Sequence, residues 1–498
     1  MTAKKMLLFP DGPAKFAYQV IISRLDGEKI SNPEYRRRQL KLIEKGIGGF
    51  ILFGGKRNQI KPFIAEMQSR ARIPLLIASD IERGAAQQVD GTTAFPSQMA
   101  IAAAVDPSLE EDTDLLVRLI GAIAAEAKDI GINMPLIPVL DVNTDPDNPI
   151  ICTRAFSDKP GLTAWFGTRY IEVLERNSLI SCPKHFPGHG ATSTDSHISL
   201  PVIRKTRDDL MDTDIKPFQK AIDAGTSSVM IGHLSVPALD ARPASLSRKI
   251  ITGFLREELG FRGLVLTDAL NMHALKEFRD VGTECLRAGA DILLHPEDPD
   301  ATADELFSAF KEKRLEPGII EAAVTRIIEA KSRLDIEIPA EPDFKEHALL
   351  SKTISRKAVT LLKNAPGVLP LRDPSGMRVI FGGEAMLFDN SPLKSALPYS
   401  HVSDTLLVAL FTSVAAWKGS SGISDEECRK LSGLISGAKK SVVVSFGSPY
   451  VLRYFGDADV LIAAYDPTVQ AQEAVIKCLL GAAPFTGRLP VQMPEVQS

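Results

Sequence analysis

Along the first 335 or so residues, short apolar runs alternate with longer stretches in which apolar positions recur every three or four residues. The short runs lie at 18–25, 49–53, 74–80, 134–141, 179–184, 228–233, 263–268 and 291–295. Their interiors, such as LLIAS and LVLT, are continuously apolar, as in parallel strands buried on both faces. Helical periodicity fills the gaps at 33–45, 111–130, 162–177, 209–224 and 247–259. In 111–130, Leu115, Leu119, Ile123 and Ala127 recur at near-helical spacing. Eight strands with intervening helices predict an α/β fold of the (β/α)8, TIM-barrel type; an open doubly wound sheet is the alternative.

The pattern breaks at DIEIPAEPDF, where Pro339 and Pro342 interrupt any periodicity. Beyond it a helix is expected over 349–363, strands at 378–381, 406–411, 441–446 and 460–464, and helices near 425–436 and 470–480. The expected organisation is a barrel over 1–335, a linker over 336–348 and a smaller α/β sandwich over 349–498.

Composition narrows the function classes. A formal net charge of -4 lacks the basic excess of a nucleic-acid binder. No apolar run is long enough to span a bilayer, and Pro10, Asp11 and Gly12 interrupt the N-terminal apolar run, making it a poor leader. Five cysteines without a C-x-x-C pair suggest free thiols rather than a disulfide framework. The expectation is a cytoplasmic enzyme, monomer or homodimer, acting on a small molecule without cofactor or metal.

Two segments carry chemistry. Asp268 follows the apolar run Leu264–Thr267, at the end of a barrel strand where active-site loops gather. A carboxylate there can attack an anomeric carbon and form a covalent glycosyl intermediate. It can equally cap the next helix, and position alone does not separate the two. The second segment, CPKHFPGHGATSTDSHISLP, spans 182–201 and has no periodicity. It holds Lys184, His185, His189, Asp195 and His197, with turns imposed by Pro187, Gly188 and Gly190. In extended chain, Asp195 and His197 project to one side, so the carboxylate can hold and charge the imidazole for proton transfer. A zinc site built from His185, His189 and His197 is the alternative, but their spacing is not that of a helical HExxH motif.

Together these residues resemble glycoside hydrolase family 3, in its branch of β-N-acetylglucosaminidases that recycle cell-wall sugars. KHFPGHG at 184–190 with Asp195-Ser196-His197, and GFRGLVLTDALNM at 260–272, carry the resemblance. GHLSVPALDARPASLS at 232–247 and IITGFLREELG at 250–260 are also similar, as more loosely are LLKNAPGVLPL at 361–371 and GRLPVQMP at 487–494. The resemblance implies that Asp268 is the nucleophile and His197, paired to Asp195, the general acid/base. Most other branches take that role from a second-domain glutamate. It implies that Lys184, His185, Asp80 and Arg154 hold sugar hydroxyls. After the third strand this chain reads Asp80-Ile81-Glu82-Arg83-Gly84, with Arg83 where that branch has glycine, and Gln88 falls where it has a second arginine.

The implied reaction releases a terminal β-linked N-acetylglucosamine with retention. A histidine acid/base repels anions less than glutamate does, which admits phosphate in place of water as acceptor. β-Glucosidase or β-xylosidase activity within the family, or carbohydrate binding without catalysis, are the alternatives.

Overall fold

The computed structural model describes residues 13–192, 200–334, 341–372, 377–397, 404–414, 418 and 420–494. Five barrel strands form one parallel sheet in the order β4 (Met134–Pro135), β3 (Leu76–Ser79), β2 (Gly49–Phe53), β1 (Ile21–Asp26) and β7 (Leu293–Leu294). β5 (Ser228–Ile231) and β6 (Leu264–Thr267) pair in parallel separately. Parallel bridges close the ring. Val139 joins Lys184, Phe186 joins Ile231, and Leu266 joins Ile292. The extended segment 182–186 thus occupies the fifth position, donating from Lys184 N–H to the Pro138 carbonyl and from Phe186 N–H to Met230. All eight expected strand positions fall in this ring, which confirms the closed barrel over the open sheet.

The helices form because each buries one stripe against the ring. Pro33–Lys45 begins at Asn32, whose side chain accepts from the amides of Glu34 and Tyr35, and it ends on left-handed Gly46. Glu110–Ile130 opens on three acidic residues, favourable at the positive end of the helix dipole. No helix among the described residues is long and apolar enough to cross a membrane.

The second sheet runs in the order β8 (Thr360–Asn364), β12 (Val460–Ala463), β11 (Lys440–Phe446), β10 (Thr405–Phe411) and β9 (Met377–Gly383). It is parallel except for β8 at its edge. One expectation shifts. The helix expected over 349–363 starts earlier, at Phe344, because Asp343 accepts from the amides of Lys345 and Glu346. It stops at Ala358, where Val359 and Thr360 favour extended chain, and 360–364 becomes the edge strand.

The two sheets are laced together. Helix Phe344–Ala358 lies on the barrel side, with His347 Nδ1 2.7 Å from Glu126 and Ser351 donating to the Ala94 carbonyl. Asn143 donates to the Tyr450 hydroxyl at 3.0 Å. Residues 488–492 return to the barrel, where Arg488 N–H donates to Ala103, Ser157 to the Pro490 carbonyl and Gln492 N–H to Asp158.

Candidate active site

Every polar residue described next sits at or beyond the carboxyl end of a barrel strand. Asp268 follows β6; its amide donates to Ile231 and its Oδ1 accepts from Ala269 N–H at 2.8 Å. The carboxylate is therefore aimed by its own backbone. Burial pushes its pKa up, but His185, His233, the Ala269 amide and Lys184 outweigh that and hold it below the usual carboxylate range. The side chain of Asp268 caps no following helix through the hydrogen bonds described.

Lys184 is almost fully buried, with its side chain 2% exposed. Its Nζ lies 2.6 Å from Asp80 Oδ1 and 2.8 Å from Glu82 Oε1. Burial opposes its charge, yet those two carboxylates raise its pKa. Arg154 grips Glu82 with both ends of its fork, Nε to Oε2 at 2.9 Å and Nη2 to Oε1 at 2.8 Å, and its Nη1 donates to the Ile150 carbonyl. Despite complete burial, Glu82 stays ionised far below the normal range, held by Arg154 and Lys184. Asp80 is the most open member, 29% exposed.

The histidine loop is pinned from beneath. Asp141, continuing the fourth strand, accepts from His185 Nδ1 at 2.7 Å, from the His185 amide at 3.2 Å and from the His189 amide at 2.6 Å. That arrangement fixes the His185 ring with Nδ1 toward Asp141. Gly190 has no alternative, since a Cβ there would lie 1.9 Å from the Val142 carbonyl oxygen. His189 Nδ1 meets the Thr192 hydroxyl at 2.7 Å, and its Nε2 has no hydrogen-bond partner among the described residues.

The structure therefore brings Asp80, Arg154, Lys184, His185 and Asp268 to one mouth. Asp195 and His197 lie outside the described residues. Two residues escaped the reading of the sequence: Glu82, the hub of the cation pair, and Asp141, the anchor of the loop. Both had a usable signal. Glu82 stands two residues after Asp80 in extended chain, and Asp141 ends a strand as Asp268 does. Two cavities of about 550 and 600 Å³ lie elsewhere, one beside Glu175, Arg262 and Arg326 and one beside Lys61, Gln68 and Asn133. They contain none of these groups.

Two buried histidines make stability acid-sensitive. Burial lowers His189 to about 4, and burial with Arg24 nearby lowers His295 to about 4, against 6.5 for a free imidazole. Both are neutral in the folded chain and protonated more readily when unfolded. Their contribution is thus complete above pH 6.5 and lost as pH falls toward 4, by about 3 kcal/mol for His189. Denaturant titrations between pH 7 and 4 should show this decline, and His189→Gln should flatten it; an unchanged slope would refute the assignment.

A parallel barrel whose strand ends carry a buried, ionised carboxylate among basic residues is the architecture of a barrel enzyme. Residues 27–330 match the glycosyl hydrolase family 3 N terminal domain, and the chain belongs to that family. It is 32% identical over 368 residues to a beta-hexosaminidase A of Pseudoalteromonas piscicida, a match covering 66% of this chain and 61% of that one. It is 27% identical to a beta-N-acetylglucosaminidase/beta-glucosidase of Cellulomonas fimi, covering 93% and 91%. A solved fungal multi-domain family 3 beta-N-acetylglucosaminidase superposes with a TM-score of 0.87 at 28% identity, covering 98% of this chain and 61% of that one. The chain thus spans about three-fifths of the first and third of these relatives. Like the structural neighbours of its family, it joins a barrel to a second domain.

Proposed function

We propose that the protein is a retaining exo-glycosidase releasing terminal β-linked N-acetylglucosamine. The observation that carries this reading is Asp268, ionised, backbone-aimed and ringed by Lys184, His185 and His233 at the barrel mouth. Asp80 binds the distal hydroxyls, with Lys184, Arg154 and His185 completing the grip. Asp268 attacks the anomeric carbon while His197, charged by Asp195, protonates the leaving oxygen. Water, deprotonated by the same histidine, then releases the sugar. The catalytic unit is 1–335, the link 336–348, whose last five residues already belong to helix Phe344–Ala358, and the second domain 349–498.

A proton donor from the barrel agrees with the second domain. Its glutamate at the end of β9, Glu384, accepts from Ser413 N–H at 2.6 Å and from Lys418. Burial raises its pKa, but Lys418 and Ser413 bring it below the normal range, which suits a structural anion and not an acid. The relative named as a beta-hexosaminidase supports an N-acetylhexosamine, while the Cellulomonas fimi relative is named for both N-acetylglucosaminidase and glucosidase activity. Trapping with a fluorinated slow-turnover N-acetylglucosaminide, followed by peptide mapping, should label the 264–272 peptide on Asp268. Label elsewhere overturns the nucleophile. Faster hydrolysis of the matching glucoside or xyloside overturns the sugar.

A further inference from the structure

Arg83 breaks the family pattern, and its partner lies in the other domain. Its Nη2 stands 3.2 Å from Asp466 Oδ1, just past the end of β12. Asp466 is 1% exposed, and the preceding residue, Tyr465, adopts a left-handed φ of 65° while its hydroxyl donates to Thr360 at 2.8 Å. The carboxylate is thereby thrust toward the barrel from a fixed base. Its Oδ2 accepts from Ser97 N–H at 2.8 Å. The Arg83 contact is coulombic, since Oδ1 receives no hydrogen bond among the described residues.

Both contacts lie beside residues that hold the Glu82–Arg154 ion pair. Arg83 follows Glu82, which holds both Lys184 and Arg154. Ser97 precedes Gln98, whose Nε2 donates to the Arg154 carbonyl at 2.8 Å and the Val139 carbonyl at 2.9 Å. Asp466 therefore touches the residue after Glu82 and the residue before Gln98, the side chain that holds the Arg154 carbonyl. Glycine at 83 would offer no such handle.

We propose that Asp466 of the second domain, acting through Arg83 and Ser97, is a positioning residue that sets the Glu82–Arg154 pair for sugar binding. This rests on the glycosidase reading for its kinetic consequence, but not for its structural one. The role is in binding geometry, because Asp268 and its amide support lie on a separate strand with no contact to Arg83 or Asp466 among those described.

The test uses the full chain and two variants, Asp466→Asn and Arg83→Ala, the latter removing a side chain that is 31% exposed. Hydrogen exchange without ligand should quicken in peptides 80–88 and 150–156 of both variants and stay unchanged in 264–270. With the substrate the parent protein cleaves, KM should rise about tenfold with kcat within about twofold, and the double variant should be no worse than the weaker single one. Arg83→Lys should restore part of the loss. Lower melting temperature with unchanged exchange at 80–88 and unchanged KM would make the pair mere interdomain glue and overturn the proposal. Quickened exchange in the variants of a parent protein that cleaves no glycoside would uphold the positioning and remove the glycosidase reading.

Discussion

Asp268→Asn should leave a folded protein that turns over glycosides about 10⁴-fold more slowly or worse. Asparagine keeps the oxygen that accepts from Ala269 N–H and fills the same volume. What it lacks is the charge. The surrounding basic side chains keep other partners, Lys184 with Asp80 and Glu82, and His185 with Asp141, so removing one anion leaves neither without a partner. Melting temperature and circular dichroism should therefore match the parent while kcat collapses. Asp268→Gly opens room for a small anion, and azide should then revive turnover and give the glycosyl azide of inverted configuration. Parent-like kcat in Asp268→Asn, measured on the best chromogenic glycoside, would place the nucleophile elsewhere.

Glu82→Gln should do the opposite, damaging the fold before the chemistry. Glu82 is buried and is the shared counter-ion of Arg154 and Lys184. An amide offers one acceptor oxygen, and turns a donor N–H toward a guanidinium or ammonium that also only donates. Removing one partner of a buried charge network costs about 3–5 kcal/mol. Denaturant unfolding should show a loss of that order, and what remains folded should bind sugar weakly. Asp80→Asn, at the more open end of the network, should lose far less stability while still raising KM. Equal stability in Glu82→Gln and the parent protein would mean that the ion pairs contribute nothing net.

These two residues also mark where the sequence was legible. Asp268 could be found because its cue is local: an apolar run, then a carboxylate at the strand end. Asp80 ends a strand in the same way, while Lys184 and His185 were assigned through the family resemblance of their loop. Glu82 could not be ranked by such means, since its importance comes from Arg154, 72 residues away. Asp141 was hidden similarly, its partners His185 and His189 lying 44 and 48 residues on. Arg83 read as a departure because its reason, Asp466, belongs to another domain. Most barrel strands were visible because both faces are buried and their interiors are apolar; β1, with exposed Arg24, is the exception among the paired strands. β8 was not visible, because TLLKN lies at a sheet edge with its last two residues exposed, and it continues a helical stretch without a Pro or Gly to part them.

The lacing between the sheets has a consequence for how the molecule can move. Asp466, Tyr450, Arg488 and Gln492 reach the barrel from separate places in the second domain. A hinge turns only if its contacts lie along one axis, and ties spread across an interface remove that freedom. The second domain therefore behaves as a fixed wall beside the barrel. If the protein acts on sugars as proposed, a sugar arriving or departing has to pass between groups belonging to the mouth itself, and the pace of that exchange is decided there rather than by a swing of the whole domain.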